Sequence, residues 1–173
     1  MKKIFAVLVF ALGSTSVFAT PIGDTVRWQT GHTASSALDT DSTAIVGAGI
    51  EFPLFGGALT LDVDALGFTM SVNGAFGGGW VPGGDGGSAL FRLSDIDWVD
   101  TPGRIIDIVY RHSFGSLFQG ISFTDNSISW RIAEGPLDNN RLRVNWEVAH
   151  VPEPSTLALL GLGLLAFALR KRA

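Results

Sequence analysis

Acidic residues gather at three places in the chain: Asp39 with Asp41, Asp62 with Asp64, and Asp95, Asp97 and Asp100 around Trp98. Carboxylates so spaced are the hard oxygen ligands of a weak extracellular calcium site, and Asp95, Asp97 and Asp100 are the candidates to hold one. None of the groups completes a known loop. The Asp39 segment has Ile50 where an EF-hand needs its closing Glu, and Gly83-Gly84-Asp85-Gly86-Gly87 occurs once, unlike a calcium-binding nonapeptide array. Asp39 and Asp41 sit in a Ser/Thr-rich stretch that reads as a turn, and Asp62 and Asp64 share one face of a strand, so turns and solvated strand faces account for these acids without a metal. The expectation is no cofactor, with calcium the one candidate.

Catalytic groupings are sparse. His32, His112 and His150 are isolated, no HExxH or nucleophile elbow is present, and Ser113 beside His112 would need a third group to orient the imidazole. A carboxylate pair for glycoside hydrolysis could be drawn from Asp95, Asp97, Asp100, Glu134 and Glu147, but their separation decides that and the sequence does not give it. No glycine-rich loop leads into a helix to cradle a phosphate. There is no cysteine, which excludes thiol catalysis and cysteine-ligated metals. A non-enzymatic protein is expected.

Aromatic residues offer binding instead. An exposed tryptophan can stack on a sugar ring, with Asp, Asn or Arg reaching its hydroxyls. Trp130 and Trp146 fall in register with Ile128, Ile132, Val144 and Val148, which assigns them to a core; Trp80 and Trp98 are the candidates for exposure and ligand contact. Trp80 stands in a glycine-dense break, Phe76 to Gly87, that reads as a loop able to act as a lip.

The elements that must position these residues read as β-strands separated by turns. Runs at Thr25 to Thr30, Thr43 to Phe52, Ala58 to Val63, Phe68 to Asn73, Ala89 to Leu93, Arg104 to Arg111, Ile121 to Phe123, Ser127 to Ala133 and Arg141 to Val148 qualify, with the clearest alternation in the last two. Asp138-Asn139-Asn140 is a hairpin turn between those two strands in this reading, and Val72-Asn73-Gly74 marks another turn. The fold class is all-β: an antiparallel β-sandwich over residues 20–150, with a jelly roll or a barrel as variants. Between Thr20 and Val151 seven arginines and no lysine stand against fifteen acids, a net charge of −8 before histidines. Such a body repels nucleic acid, which is not expected as a partner.

Both ends carry sorting chemistry. Lys2 and Lys3, the apolar run Ile4 to Leu12, and Val17-Phe18-Ala19 form a secretory signal at residues 1–19, expected as a helix flanking the domain, with signal peptidase expected to cut between Ala19 and Thr20. At the other end, Val151-Pro152-Glu153-Pro154-Ser155-Thr156 precedes the apolar run Leu157 to Leu169 and the basic cluster Arg170-Lys171-Arg172. As a helix that run is roughly 20 Å long, marginal against a hydrocarbon core of about 30 Å. The basic cluster is its stop on the cytoplasmic side, leaving the central domain outside the cytoplasm.

This tail, residues 151–173, resembles the PEP-CTERM sorting signal of Gram-negative, exopolysaccharide-producing bacteria. The resemblance implies that Pro152, Glu153 and Pro154 are recognised by an exosortase, a membrane-embedded cysteine protease of the transpeptidase type. It further implies that the helix and basic end are removed during passage to the cell surface. The inner membrane is then a transient partner. A structural or biofilm-matrix protein, associated with exopolysaccharide, is the leading expectation for the domain; a surface carbohydrate-binding module, helped by calcium, is the alternative.

Overall fold

The computed structural model describes residues 20–32, 38–76, 87–98 and 103–150, together with Gly161 and Gly163. Twelve strands follow in order: β1 (Thr25–His32), β2 (Leu38–Ile45), β3 (Phe52–Leu54), β4 (Leu59–Asp64), β5 (Gly67–Val72), β6 (Ala75–Phe76), β7 (Ser88–Ser94), β8 (Gly103–His112), β9 (Phe118–Phe123), β10 (Ile128–Ala133), β11 (Leu137–Asp138) and β12 (Arg141–His150). They form two five-stranded sheets, ordered β2-β1-β7-β10-β9 and β3-β4-β5-β12-β8, and a short β6-β11 ribbon. Every pairing is antiparallel. Because β3, β4 and β5 form a meander of neighbours, the second sheet lacks the alternating wrap of a jelly roll.

Alternation of side chains builds the core. On β10, Ile128, Trp130 and Ile132 are buried while Arg131 is exposed, and on β12, Leu142, Val144 and Trp146 are buried while Arg141, Asn145 and Glu147 are exposed. The two sheets meet through these inner faces. Trp28 of β1 places its edge against Phe52 of β3, with ring centroids 5.4 Å apart, and Phe68 of β5 stacks on Trp130 at 4.9 Å. Trp130 also stacks on Phe91, its neighbour on β7, at 5.6 Å, so its ring fills a slot between a cross-strand and a cross-sheet phenyl group.

That slot leaves the Trp130 indole Nε1 buried with no hydrogen-bond partner among the described residues. Trp130→Phe removes an orphaned donor, worth about 1–3 kcal/mol when buried, while keeping an aromatic ring in the stack. The expected loss in a urea titration is below about 1.5 kcal/mol. A loss near the 3–5 kcal/mol range of a Trp→Ala truncation would count against this account of the slot.

Three sequence expectations are corrected by the sheets. The run Thr43 to Phe52 is two strands: the chain leaves β2 at Ile45 and turns through Gly47 and Gly49, the latter at φ 110°. The Glu51 carboxylate takes over the ladder's role there, accepting the amides of Gly47 at 3.0 Å and Val63 at 2.7 Å. Asp39 and Asp41 lie on β2 and not in a turn, since pairing with β1 extends the Ser/Thr-rich segment. Asp138-Asn139-Asn140 does turn the chain, with Asn139 at φ 50°, but it leads from β11 of the short ribbon into β12 of the second sheet and joins no hairpin between β10 and β12. It docks on the other expected turn, with the Val72 amide donating to the Asn140 carbonyl at 2.8 Å and the Gly74 amide to Asn139 Oδ1 at 3.2 Å.

The two flanking helices expected from the sequence lie outside the described residues, apart from the helical backbone of Gly161 and Gly163. Among the described residues no helix is long and apolar enough to cross a membrane.

Candidate functional site

Pairing of β12 with β8 organises the outer face of the second sheet. Arg143 stands directly opposite Arg111, Asn145 opposite Val109, and Glu147 opposite Asp107. With Leu142, Val144 and Trp146 facing the core, these pairs and Arg141 share the outward face. Like charges directly opposed across a ladder are unfavourable, and exchanging one member of each charged pair would have made salt bridges. The like-charged pairs lie apart along the ladder instead, Arg111–Arg143 toward one end and Asp107–Glu147 toward the other, with exposed Arg104 beyond the acidic pair, opposite Ala149.

The basic end forms a shallow groove of about 320 Å³ lined by Arg111, His112, Ser113, Arg141 and Arg143. Arg143 is fixed in place: its Nε donates to Asn145 Oδ1 at 2.8 Å, its Nη2 to Asp64 Oδ1 at 3.1 Å, and its Nη1 to Asp64 Oδ2 and to Thr69 Oγ1. Burial alone would raise the Asp64 pKa, but hydrogen bonds from Arg143 and from the Leu66 and Gly67 amides outweigh it and hold the carboxyl below its ordinary value. Arg111 and Arg141 make no ion pair or side-chain hydrogen bond among the described residues. Ser113 Oγ accepts the Arg141 amide at 2.8 Å. His112 turns toward the sandwich edge, stacking on Phe118 of β9 at 4.1 Å, and Tyr110 packs against the same ring at 5.5 Å.

This grouping could not be read from the chain. Arg111 and Arg141 lie thirty positions apart in sequence and meet only through the β8–β12 register. Ser113 and His112, the adjacent pair weighed as a nucleophile and base, are engaged separately, and no hydrogen bond joins them among the described contacts.

The sequence's other candidates fare differently. Trp98, expected to be exposed, is 7% accessible. Its ring packs edge-on against Trp146, with centroids 5.8 Å apart, and lies over Gly103, where a Cβ would come within 2.3 Å of the indole. The missing side chain at Gly103 makes the space that buries it. Trp130 and Trp146 are buried as expected. Trp80, Asp100, Pro152, Glu153, Pro154, Arg170, Lys171, Arg172 and Ala19 lie outside the described residues. Asp41 is committed to Arg27, whose hydrogen bonds hold the carboxyl below its ordinary pKa. Asp95 and Asp97 are exposed, and no group of three or more His, Asp or Glu side chains among the described residues is arranged to hold a metal ion.

Asp24 sits beside Asp95 and Asp97, and its Oδ2 accepts the Asp97 amide at 2.7 Å. Burial raises its pKa, the Asp97 and Asp95 charges add to the rise, and the amides of Asp97 and Thr25 oppose it. A raised folded-state pKa means that the folded chain holds this proton more tightly than the unfolded one. The associated stability is complete below the unfolded pKa and is lost as pH rises through the folded one. Asp24→Asn, which keeps an acceptor and removes the charge, should therefore raise the thermal midpoint at pH 7 and converge with the parent near pH 3. A lower midpoint at pH 7 would contradict it.

No curated protein and no solved structure matches the chain. Residues 150–172 match the family model of the PEP-CTERM protein-sorting motif. The chain therefore ends in a PEP-CTERM sorting motif, which marks it as an exported protein processed by an exosortase.

Proposed function

We propose that the domain is a structural component of the cell surface or of an extracellular matrix, acting as an acidic β-sandwich delivered by exosortase sorting. The observation that carries this reading is the burial of Trp28, Trp98, Trp130 and Trp146, at 2, 7, 1 and 8% accessibility. With those rings in the core, no tryptophan is presented on either outer sheet face among the described residues, and a stacking platform for neutral sugars has no support there. No catalysis is assigned to the domain, and the reading needs no cofactor. The sandwich holds without disulfides, as its continuous two-sheet core allows.

The test is the intact mass of protein recovered from the culture medium, the cell surface and the inner membrane. Material beginning at Thr20 and lacking residues 157–173 is expected outside the cell. Recovery only in the inner membrane, with the tail attached, would make the tail an anchor and the domain a periplasm-facing membrane protein.

A further inference from the structure

We propose that the groove of Arg111, Arg141 and Arg143 binds the carboxylates of an acidic polysaccharide, an inference that rests on delivery of the domain to the cell surface. Three of the seven arginines between Thr20 and Val151 converge on this one groove in a body whose net charge is −8. Two of the three have no partner among the described residues. The third is locked by Asp64, Thr69 and Asn145, so its position is set before any ligand arrives.

The opposed pair Arg111–Arg143 sets two guanidinium groups across the ladder with one carboxylate, Asp64, which engages Arg143 alone and leaves Arg111 for a further anion. Such conflicts between local rule and fold are where binding sites are expected. The opposed Asp107–Glu147 pair lies four residues along the ladder, roughly 13 Å away, and repels an anion toward the arginines. Guanidinium groups take carboxylates through paired, charge-assisted hydrogen bonds. The Ser113 hydroxyl, whose oxygen already accepts the Arg141 amide, keeps its proton to donate to a sugar hydroxyl. The groove is shallow and open, which suits a polymer passing across it better than an enclosed small molecule. A second copy of the chain is a weaker occupant. It would bring another −8 charge, and exposed ion pairs worth about 0.2–1 kcal/mol each do not offset association costs of several kcal/mol.

The test is binding of the detergent-solubilised full chain to polygalacturonate, with dextran, polyphosphate and duplex DNA as comparison probes. Polygalacturonate binding that weakens with added salt and falls about tenfold or more in Arg111→Gln/Arg141→Gln is expected. Arg92→Gln, which removes an exposed charge from the other sheet, should leave it unchanged. Both arginines of the double variant are exposed, and an unchanged denaturation midpoint separates lost binding from lost fold. The inference is overturned by absence of polygalacturonate binding, by equal binding to dextran, by an equal effect of Arg92→Gln, or by tighter binding to polyphosphate or DNA. It is also overturned if the arginine variants change only the oligomeric state. These outcomes are independent of where the protein is found in the cell, so a failed export assay and a failed binding assay are told apart.

Discussion

Gly67→Ala should abolish or nearly abolish folding of the domain. Gly67 opens β5 and is paired on both sides, with Asp64 of β4 and Asn145 of β12. A Cβ at this position would lie 1.9 Å from the Val144 carbonyl oxygen, 2.8 Å from its carbon and 2.9 Å from Asn145 Cα. All three are backbone atoms, so no side-chain rotation relieves the overlap; β5 and β12 must separate. The same region is tied by the Trp146 amide to the Leu66 carbonyl at 3.0 Å and by the Trp146 indole to the Ala65 carbonyl at 3.4 Å. Moving β12 away therefore also strips the turn between β4 and β5 from its support. A loss above about 4 kcal/mol is expected, against a total stability of about 5–15 kcal/mol for a domain. Gly47→Ala is the matched control, because a Cβ there meets nothing within 4 Å and the residue has no positive φ; it should stay within about 0.5 kcal/mol of the parent. Equal urea midpoints for the two variants would refute the steric argument.

Gly67 also marks where sequence reading stops. Eight of the nine expected strand segments, all but Thr43 to Phe52, were legible because burial on one face imposes an alternation that survives in the residue order, as in Ile128, Trp130 and Ile132. Pairing partners leave no such trace. The Asp138–Asn140 turn reads the same whether it closes a hairpin or carries the chain between sheets, and only the register of β10 with β7 and of β12 with β5 separates the two. Trp98 was misjudged because its burial depends on the absence of a side chain at Gly103, a residue whose contact with it is tertiary. The basic groove was hidden for a related reason: its arginines are dispersed in an acidic chain, and the signal is a like-charge pair across a ladder, visible only when the ladder is built.

Replacing Pro152, Glu153 and Pro154 together by alanine should leave the protein in the inner membrane with its mass extending to Ala173. The tail carrying these residues is the PEP-CTERM motif, and exosortase is its processing partner. β12 lies between β5 and β8 in the second sheet and stays paired as far as His150, opposite Gly103. In sequence, Pro152, Glu153 and Pro154 fall between the last paired residue and the apolar run at Leu157. Prolines at 152 and 154 carry no backbone amide with which to prolong a strand ladder or to begin a helix. Alanine removes the Pro-Glu-Pro side chains of the motif and restores both backbone amides. Residues 20–150 are untouched, so the domain should keep the parent's denaturation midpoint in detergent, and loss of release would reflect sorting alone. Release at the parent's level, with the parent's C-terminal mass, would mean that export of this chain does not depend on the motif.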